Sequence, residues 1–405
     1  MLRFLYSIAY TLWAVVSLPT ILYKKWWKKK NIHFLSKFLL PNFSLDPKNK
    51  ILWLHAVSLG EMKAALWLIQ ELKKRKSFSL VISTQTSTGY HYAKSVFDGT
   101  VFFLPLDFYF LQKKLVNKIK PHVFILMESD FWLNQITALK EFGTKIFLIN
   151  GKFSYRSFER VKKIPFFSKS LFSCFDLIVA QSEKMQTRFL HFVDQSKVIA
   201  KSNIKLLKTI PQVIGLFPVL KDSKLITVAC THPDEEMEIV EAIFPLLEEG
   251  FEIAIAPRHP ERFETVFLEI KERYSGIEKL SSLKKSPLYL VDQMGVLNEL
   301  YAQSSYVIMG GSYCSKKGGH DIFEPIMQGV FTFFGPYMQA QEELKELATQ
   351  FQLGEMQEAK DLVKAIRGKE REQRDSFAVL KDFQKLKSTL IDSYESVLDS
   401  ISKEM

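Results

Sequence analysis

The chain predicts an α/β protein made of two Rossmann-like domains in tandem. Three observations carry this reading. Short apolar β runs alternate with amphipathic helical stretches, the alternation halts near residue 205 and restarts near 224, and nearly every predicted strand ends on glycine or polar residues. A length of 405 residues exceeds one ordinary hydrophobic core and suits two domains. With 47% hydrophobic and 24% charged residues the chain is globular rather than disordered.

The elements follow in order. Phe4 to Tyr23 carries no charge over twenty residues, the length of one bilayer span, and KKWWKKK (Lys24 to Lys30) follows it. Lysines beside tryptophans suit the headgroup region of a cytoplasmic leaflet. A cleaved signal would place its charge before the apolar run. Residues 1–30 are therefore expected to be an uncleaved membrane anchor with a basic flank, the bulk of the chain lying on the cytoplasmic side. Spanning and interfacial placements both remain open, as does a buried N-terminal helix, because Ser7, Thr11, Ser17 and Pro19 dilute the apolarity.

Residues 31–205 form the first predicted domain. Its strands are Ile51 to Val57, Ser79 to Thr86, Val101 to Leu106, Val123 to Met127, Lys145 to Asn150 and Leu177 to Ser182, with a helix over Glu61 to Lys76. Residues 206–222 are the predicted hinge, preceded by the poorly patterned basic segment Lys197 to Lys208. The second domain, 223–370, has strands over Lys224 to Cys230, Phe251 to Pro257, Pro287 to Asp292, Ser305 to Gly311 and Val330 to Gly335. Residues 371–405 read as a charged C-terminal helix.

Ligands in such sheets bind beyond the carboxyl ends of the strands. In the first domain that rule collects Ser58, Gly60 and Glu61, then Thr84 to Thr88, Glu128 with Asp130, and Lys152 with Arg156. In the second it collects Thr231-His232, Arg258-His259, Met294-Gly295 and the stretch Tyr306 to Pro325. That stretch is the most informative. A β run ends in Gly310-Gly311, a loop with Lys316 and Lys317 follows, and Gly318-Gly319-His320-Asp321 leads into a helix start bearing Glu324. Glycines admit close backbone approach, and free N–H groups at a helix start attract anions. A nucleotide phosphate and ribose are the expected occupants. Two such domains facing across a cleft describe a GT-B glycosyltransferase.

The net charge of +11 admits nucleic acid or an anionic membrane as partner, and the clustering of lysines beside the apolar run favours the membrane. Cys174, Cys230 and Cys314 are odd in number and far apart, so neither a disulfide framework nor a metal knuckle is expected. No Asp-x-Asp pair occurs and the eight histidines do not pair at metal spacing, so no metal cofactor is expected.

Seven blocks occur in order: HAVSLGE (His55 to Glu61), ESDFW (Glu128 to Trp132), GKFSYRS (Gly151 to Ser157), THPDEE (Thr231 to Glu236), PRHPERF (Pro257 to Phe263), MGVLNELYA (Met294 to Ala302) and GGHDIFEP (Gly318 to Pro325). Together with the apolar N-terminus they resemble the 3-deoxy-D-manno-octulosonic acid (Kdo) transferases over essentially the whole chain. Asp321 stands where that family usually has Asn, Val296 where it has Glu, and Ser202 to Lys205 where it has a GNLK-like block. The resemblance implies an inverting, metal-independent GT-B enzyme at the cytoplasmic face of the inner membrane. It would move Kdo from CMP-Kdo to the lipid A precursor. It implies Glu61 as general base, with Glu128 positioning the acceptor or shaping the base's surroundings. Ser58, Gly60, Lys152 and Arg156 would serve the acceptor side, Lys152 and Arg156 having an ordinary surface pair as the alternative. Arg258, His259, Met294, Gly295, Gly318, Gly319, His320, Asp321, Glu324 and Lys205 would serve CMP, with a rigid turn as the alternative for Arg258-His259.

Overall fold

The structure, a computed structural model, describes residues 5–14, 16, 37–46, 48–207, 217–220, 224–371 and 376–405. KKWWKKK and much of the expected anchor lie outside the described residues, as do residues 208–216 and 221–222 of the expected hinge. Two compact units form: Met1–Lys208 with Leu390–Met405, and Thr209–Thr389.

The first unit holds a seven-stranded parallel sheet. Its strands are β1 (Ile51–His55), β2 (Ser79–Thr84), β3 (Thr100–Phe103), β4 (Val123–Met127), β5 (Lys145–Gly151), β6 (Leu177–Ala180) and β7 (Val198–Ala200), in spatial order β3-β2-β1-β4-β5-β6-β7. Every residue of β1 and of β4 is buried, as a parallel strand covered on both faces requires. Trp53 sits at the centre with no exposed surface, edge-on to Phe124 at 5.0 Å, and its indole N–H donates to Ser83 Oγ at 2.8 Å. A cluster of phenylalanines, among them Phe131, Phe153, Phe172, Phe189 and Phe192, closes one flank.

The second unit repeats the plan with β8 (Lys224–Thr231), β9 (Phe251–Pro257), β10 (Ile277–Lys279), β11 (Leu288–Leu290), β12 (Ser304–Met309), β13 (Phe331–Phe334) and β14 (Gly354–Met356), in the order β10-β11-β9-β8-β12-β13-β14. The predicted GT-B class, two parallel α/β sheets, is the one observed. β7, β10 and β14 were not predicted. Each is a three-residue edge strand, and an edge strand with a single neighbour needs no apolar run long enough to stand out in sequence. The third strand ends at Phe103, before Pro105, which has no N–H to give a ladder.

Residues 5–14 are helical, and one face of this helix is fastened to the first unit. Tyr6 donates to Asp107 Oδ2 at 2.8 Å, the Asp107 N–H donates to Tyr10 at 3.1 Å, and Asp107 also accepts from the N–H groups of Asn134 and Gln135. Among the described residues no helix is long and apolar enough to cross a membrane.

The terminal helix, Ser376–Glu404, begins in the second unit and ends in the first. Tyr394 anchors its far end. The ring is fully buried against Trp67, and its hydroxyl donates to Ser202 O at 3.1 Å. Tyr394→Ala is predicted to destabilise the first unit by about 3–5 kcal/mol, read as a loss of urea resistance. A change under about 1 kcal/mol would show that the helix end is not part of that core.

Candidate active site

In both sheets most candidate residues gather at the topological switch point, where adjacent strands send their connections to opposite faces and leave an opening above the sheet. In the first unit that point lies between β1 and β4, which pair in parallel register.

After β1 the chain turns at Ser58 into the helix Leu59–Arg75. Ser58 is its N-cap: the side chain accepts from Glu61 N at 3.3 Å, while Val57 N donates to Glu61 Oε2 at 2.7 Å. These bonds, a capping-box variant in which the carboxylate reaches Val57 N one residue before the cap, lock the Glu61 carboxyl at the sheet's carboxyl edge. Gly60, in the first turn, is exposed. A helix start and two donors, Val57 N and Ser58 Oγ, favour the ionised form. Burial nevertheless prevails, aided by the Glu128 carboxylate, and pushes Glu61 up to about 7 against the opposing pull of Val57 N, His55 and Ser58. The group therefore titrates where a general base is most effective.

Glu128 follows β4 in a left-handed conformation, φ 60°, which a non-glycine residue adopts only when its surroundings enforce it. Its N–H donates to Ile149 O and its carbonyl accepts from Lys152 N, which hold the turn. The side chain is mostly buried and pairs with Lys205, whose Nζ lies 2.5 Å from Oε1. Lys205, grouped by its sequence with the nucleotide contacts, thus stands in the first unit on Glu128. Its short 3-10 turn is tied to the end of β5 by Ile204 N donating to Asn150 Oδ1. Arg156 is exposed on the helix Tyr155–Lys162, and Lys152 is half-buried beside the Glu128 turn.

A buried relay that sequence reasoning did not assign lies beneath. The Trp53 N–H donates to Ser83 Oγ, Ser83 meets His55 Nδ1 at 2.8 Å, and His55 Nε2 meets Asp130 Oδ2 at 2.9 Å. Donors and acceptors match throughout if His55 carries its hydrogen on Nε2. Burial alone would raise the Asp130 carboxyl, but hydrogen bonds from His55, Trp132 and Gln85 outweigh it and hold the group below its usual range. Asp130 therefore stays anionic where Glu61 does not, so the two carboxyls have separate roles. The one available signal was His55 as the last residue of an otherwise apolar strand.

In the second unit the switch point lies between β8 and β12. Thr231-His232 leaves β8 and Gly310-Gly311 leaves β12, and Glu235 ties them together: its Oε1 accepts from His232 N at 2.7 Å and Gly311 N at 2.6 Å. Gly311 (φ 69°) and Gly319 (φ 86°) both need the left-handed region, and Gly319 N donates to Gly311 O at 2.9 Å. A Cβ on Gly319 would come 2.3 Å from Met338 Sδ, so this glycine serves packing within the loop. Gly318 (φ 82°) likewise accepts Ala340 N through its carbonyl. The expected helix start is a single turn, Phe323–Ile326, and its first N–H is taken by Asp321 Oδ1 at 2.9 Å. Asp321, one residue before the N-cap Ile322, takes the Phe323 N–H, and Glu324 sits in the first turn; so short a helix offers little dipole, and the candidate anion-facing groups are side chains.

Those side chains are Arg258 and His259 beyond β9, Lys317 in the glycine-rich loop, and His320. Arg258 is exposed, with its N–H donated to Thr231 O, and the His259 ring lies 5.5 Å from that of His232. Burial, then Arg258, His259 and Lys317, push His320 down to about 4. Thr231 Oγ1, Tyr301 OH, His232 Nδ1 and Glu235 Oε2 are buried here without a hydrogen-bond partner among the described residues. Met294 and Gly295 sit apart from these contacts, Met294 being 61% exposed and Gly295 open at φ 84°. Among the described residues no group of three or more His, Cys, Asp and Glu could hold a metal ion.

The raised Glu61 has a thermodynamic signature. Its ordinary value is 4.5 and its folded value about 7, so the fold favours the protonated form. Stability from this group is present below 4.5 and is lost as pH rises through 7. Glu61→Gln, neutral throughout, is predicted to be more stable than the parent at pH 8 by roughly 1–3 kcal/mol and equal to it at about pH 4. Urea unfolding across that range decides the matter. A difference that does not vary with pH would mean the carboxyl is not desolvated.

Residues 29–207 match the family model described as 3-deoxy-D-manno-octulosonic-acid transferase (kdotransferase). A Chlamydophila psittaci protein named 3-deoxy-D-manno-octulosonic acid transferase is 28% identical over 382 residues, covering 90% of this chain and 87% of that one. A protein of the same name from Aquifex aeolicus is 28% identical over 312 residues, covering 76% of this chain and 83% of that one. Among solved structures, an Anabaena protein in complex with UDP is 14% identical with a TM-score of 0.57, covering 87% of this chain and 100% of that one, a likeness of fold alone. The chain is thus an enzyme of the glycosyltransferase class, related to the 3-deoxy-D-manno-octulosonic-acid transferases, whose family pattern it carries over residues 29–207.

Proposed function

We propose that the chain transfers Kdo from CMP-Kdo to a hydroxyl of the lipid A precursor, with inversion, without a metal, and with Glu61 as general base. The observation that carries this reading is the Glu61 carboxyl held near neutrality at the first switch point. In the reaction the acceptor oxygen attacks the anomeric carbon and the bond from that carbon to the phosphate oxygen of CMP breaks. The acceptor proton passes to Glu61, and CMP leaves with the bonding electron pair. Glu128 shapes the base by raising its pKa, and Lys205 neutralises Glu128 so that two carboxyls can share one site. Arg258 and Lys317 of the second unit would meet the phosphate with positive charge where negative charge develops, and His259 and the neutral His320 would add hydrogen bonds. Glu324 would take ribose hydroxyls; Met294 and Gly295, which stand apart from the other donor-side residues, would reach only the edge of the cytosine. Ser58, Gly60, Lys152 and Arg156 line the acceptor side.

The acceptor is lipid-borne, and the first unit exposes apolar side chains suited to a bilayer surface. Leu5, Ile8 and Leu12 share one face of the N-terminal helix while Tyr6 and Tyr10 dock the other. Ile164 and Phe166 stand out beside Lys162, Lys163 and Lys169. Such a pattern supports a helix lying in the interface of an anionic membrane, with the catalytic units on the cytoplasmic face.

Glu61→Ala is expected to lower transfer about 10²–10⁴-fold while CMP binding persists, since the phosphate residues belong to the other unit. Mass spectrometry of the lipid product from CMP-Kdo and lipid A precursor, with calorimetry of CMP, reads both quantities. Full activity in the variant would remove Glu61 as base, and consumption of a UDP-sugar with indifference to CMP-Kdo would move the enzyme to another donor. For the membrane, Ile164→Asp with Phe166→Asp should release the protein from vesicles containing anionic lipid. Undiminished sedimentation with those vesicles would clear this face of a membrane role.

A further inference from the structure

We propose that His232 is a positioning residue for the donor site: its Nε2–H donates to His320 Nε2, and this keeps the hydrogen of the His320 ring on Nδ1, where it is offered to the donor phosphate. The inference rests on the reading that His320 meets that phosphate.

The geometry is specific. The two Nε2 atoms lie 2.8 Å apart and the rings are nearly parallel, at 16°. At that separation a hydrogen must sit between them: two lone pairs would repel, and two N–H groups would collide. Which ring carries it follows from what surrounds each. His232 is 4% exposed, and its Nδ1 is buried with no partner among the described residues. A hydrogen on that Nδ1 would be an orphaned buried donor, whereas an unpaired acceptor there is more readily tolerated. The hydrogen of His232 therefore sits on Nε2. His320 accepts it and must carry its own hydrogen on Nδ1, to which no described residue gives a recorded acceptor.

The tautomer matters because both rings are neutral. Burial lowers His320 to about 4, helped by Arg258, His259 and Lys317. Burial likewise lowers His232 to about 4, helped by His320, Lys317, His259 and Arg262. Arg262 is itself held by Glu236, and Glu235 is engaged by the His232 and Gly311 N–H groups. A neutral imidazole has one N–H, and an anion is bound by that N–H and repelled by the other nitrogen's lone pair. His232 selects the face that binds.

The full chain labelled with ¹⁵N-histidine tests this, since the nitrogen shifts of His320 distinguish the tautomers without any substitution. The expected result is a protonated Nδ1 in the parent. In His232→Leu that preference is lost and CMP affinity falls about tenfold, whereas His232→Gln, with an amide N–H to donate, recovers most of it. A hydrogen on His320 Nε2 in the parent overturns the proposal. So does a His232→Leu variant that keeps parent CMP affinity while His320→Ala loses it. Should His320→Ala itself bind CMP as the parent does, the phosphate reading fails, and the tautomer result then stands or falls separately.

Discussion

Where β1 lies beside β4, and β8 beside β12, the connections leaving the paired strands turn to opposite faces of the sheet. The space above their carboxyl ends is left without a covering helix. Each polar group delivered there is half out of water yet close to others, and both effects shift its protonation. That constraint explains why Glu61, Glu128, His55 and Asp130 converge in one unit, and why His232, Glu235, Gly311 and His320 converge in the other. It also explains why strained backbone sits there: Glu128 after β4 and Cys230 near the end of β8 both have φ near 60°. A chain leaving a parallel strand must turn sharply to aim a side chain back over the sheet.

The two sites manage charge in opposite ways. The first holds carboxyls and tunes them apart. Asp130 receives three hydrogen bonds and stays ionised, whereas Glu61 is desolvated and faces Glu128. The second site holds Arg258 and Lys317 and keeps the buried pair His232 and His320 neutral.

Much of the fold was legible in sequence because a strand buried on both faces is largely apolar, as β4 is throughout and β1, β8 and β9 are apart from a few polar positions. The edge strands β7, β10 and β14 were not legible, since one neighbour and partial exposure impose no such pattern. Strand-end residues were legible as candidates, Glu61 and His320 among them. Their partners were not. Lys205 is seventy-seven positions from Glu128, and His232 is separated from His320 by 88, so neither pairing leaves a local trace.

The residue order alone determined the long central strands and which polar groups stand near their carboxyl ends, because burial and turn chemistry act within a few residues. Tertiary structure decided the rest. It set which strands became neighbours, turned an expected anion-binding helix start into one turn whose first N–H is taken by Asp321, and gave the end of the last helix to the first unit. It also fixed the protonation of Glu61 and the hydrogen between two histidines. These depend on desolvation and on charges brought together through space, and neither quantity is a property of a local stretch of chain.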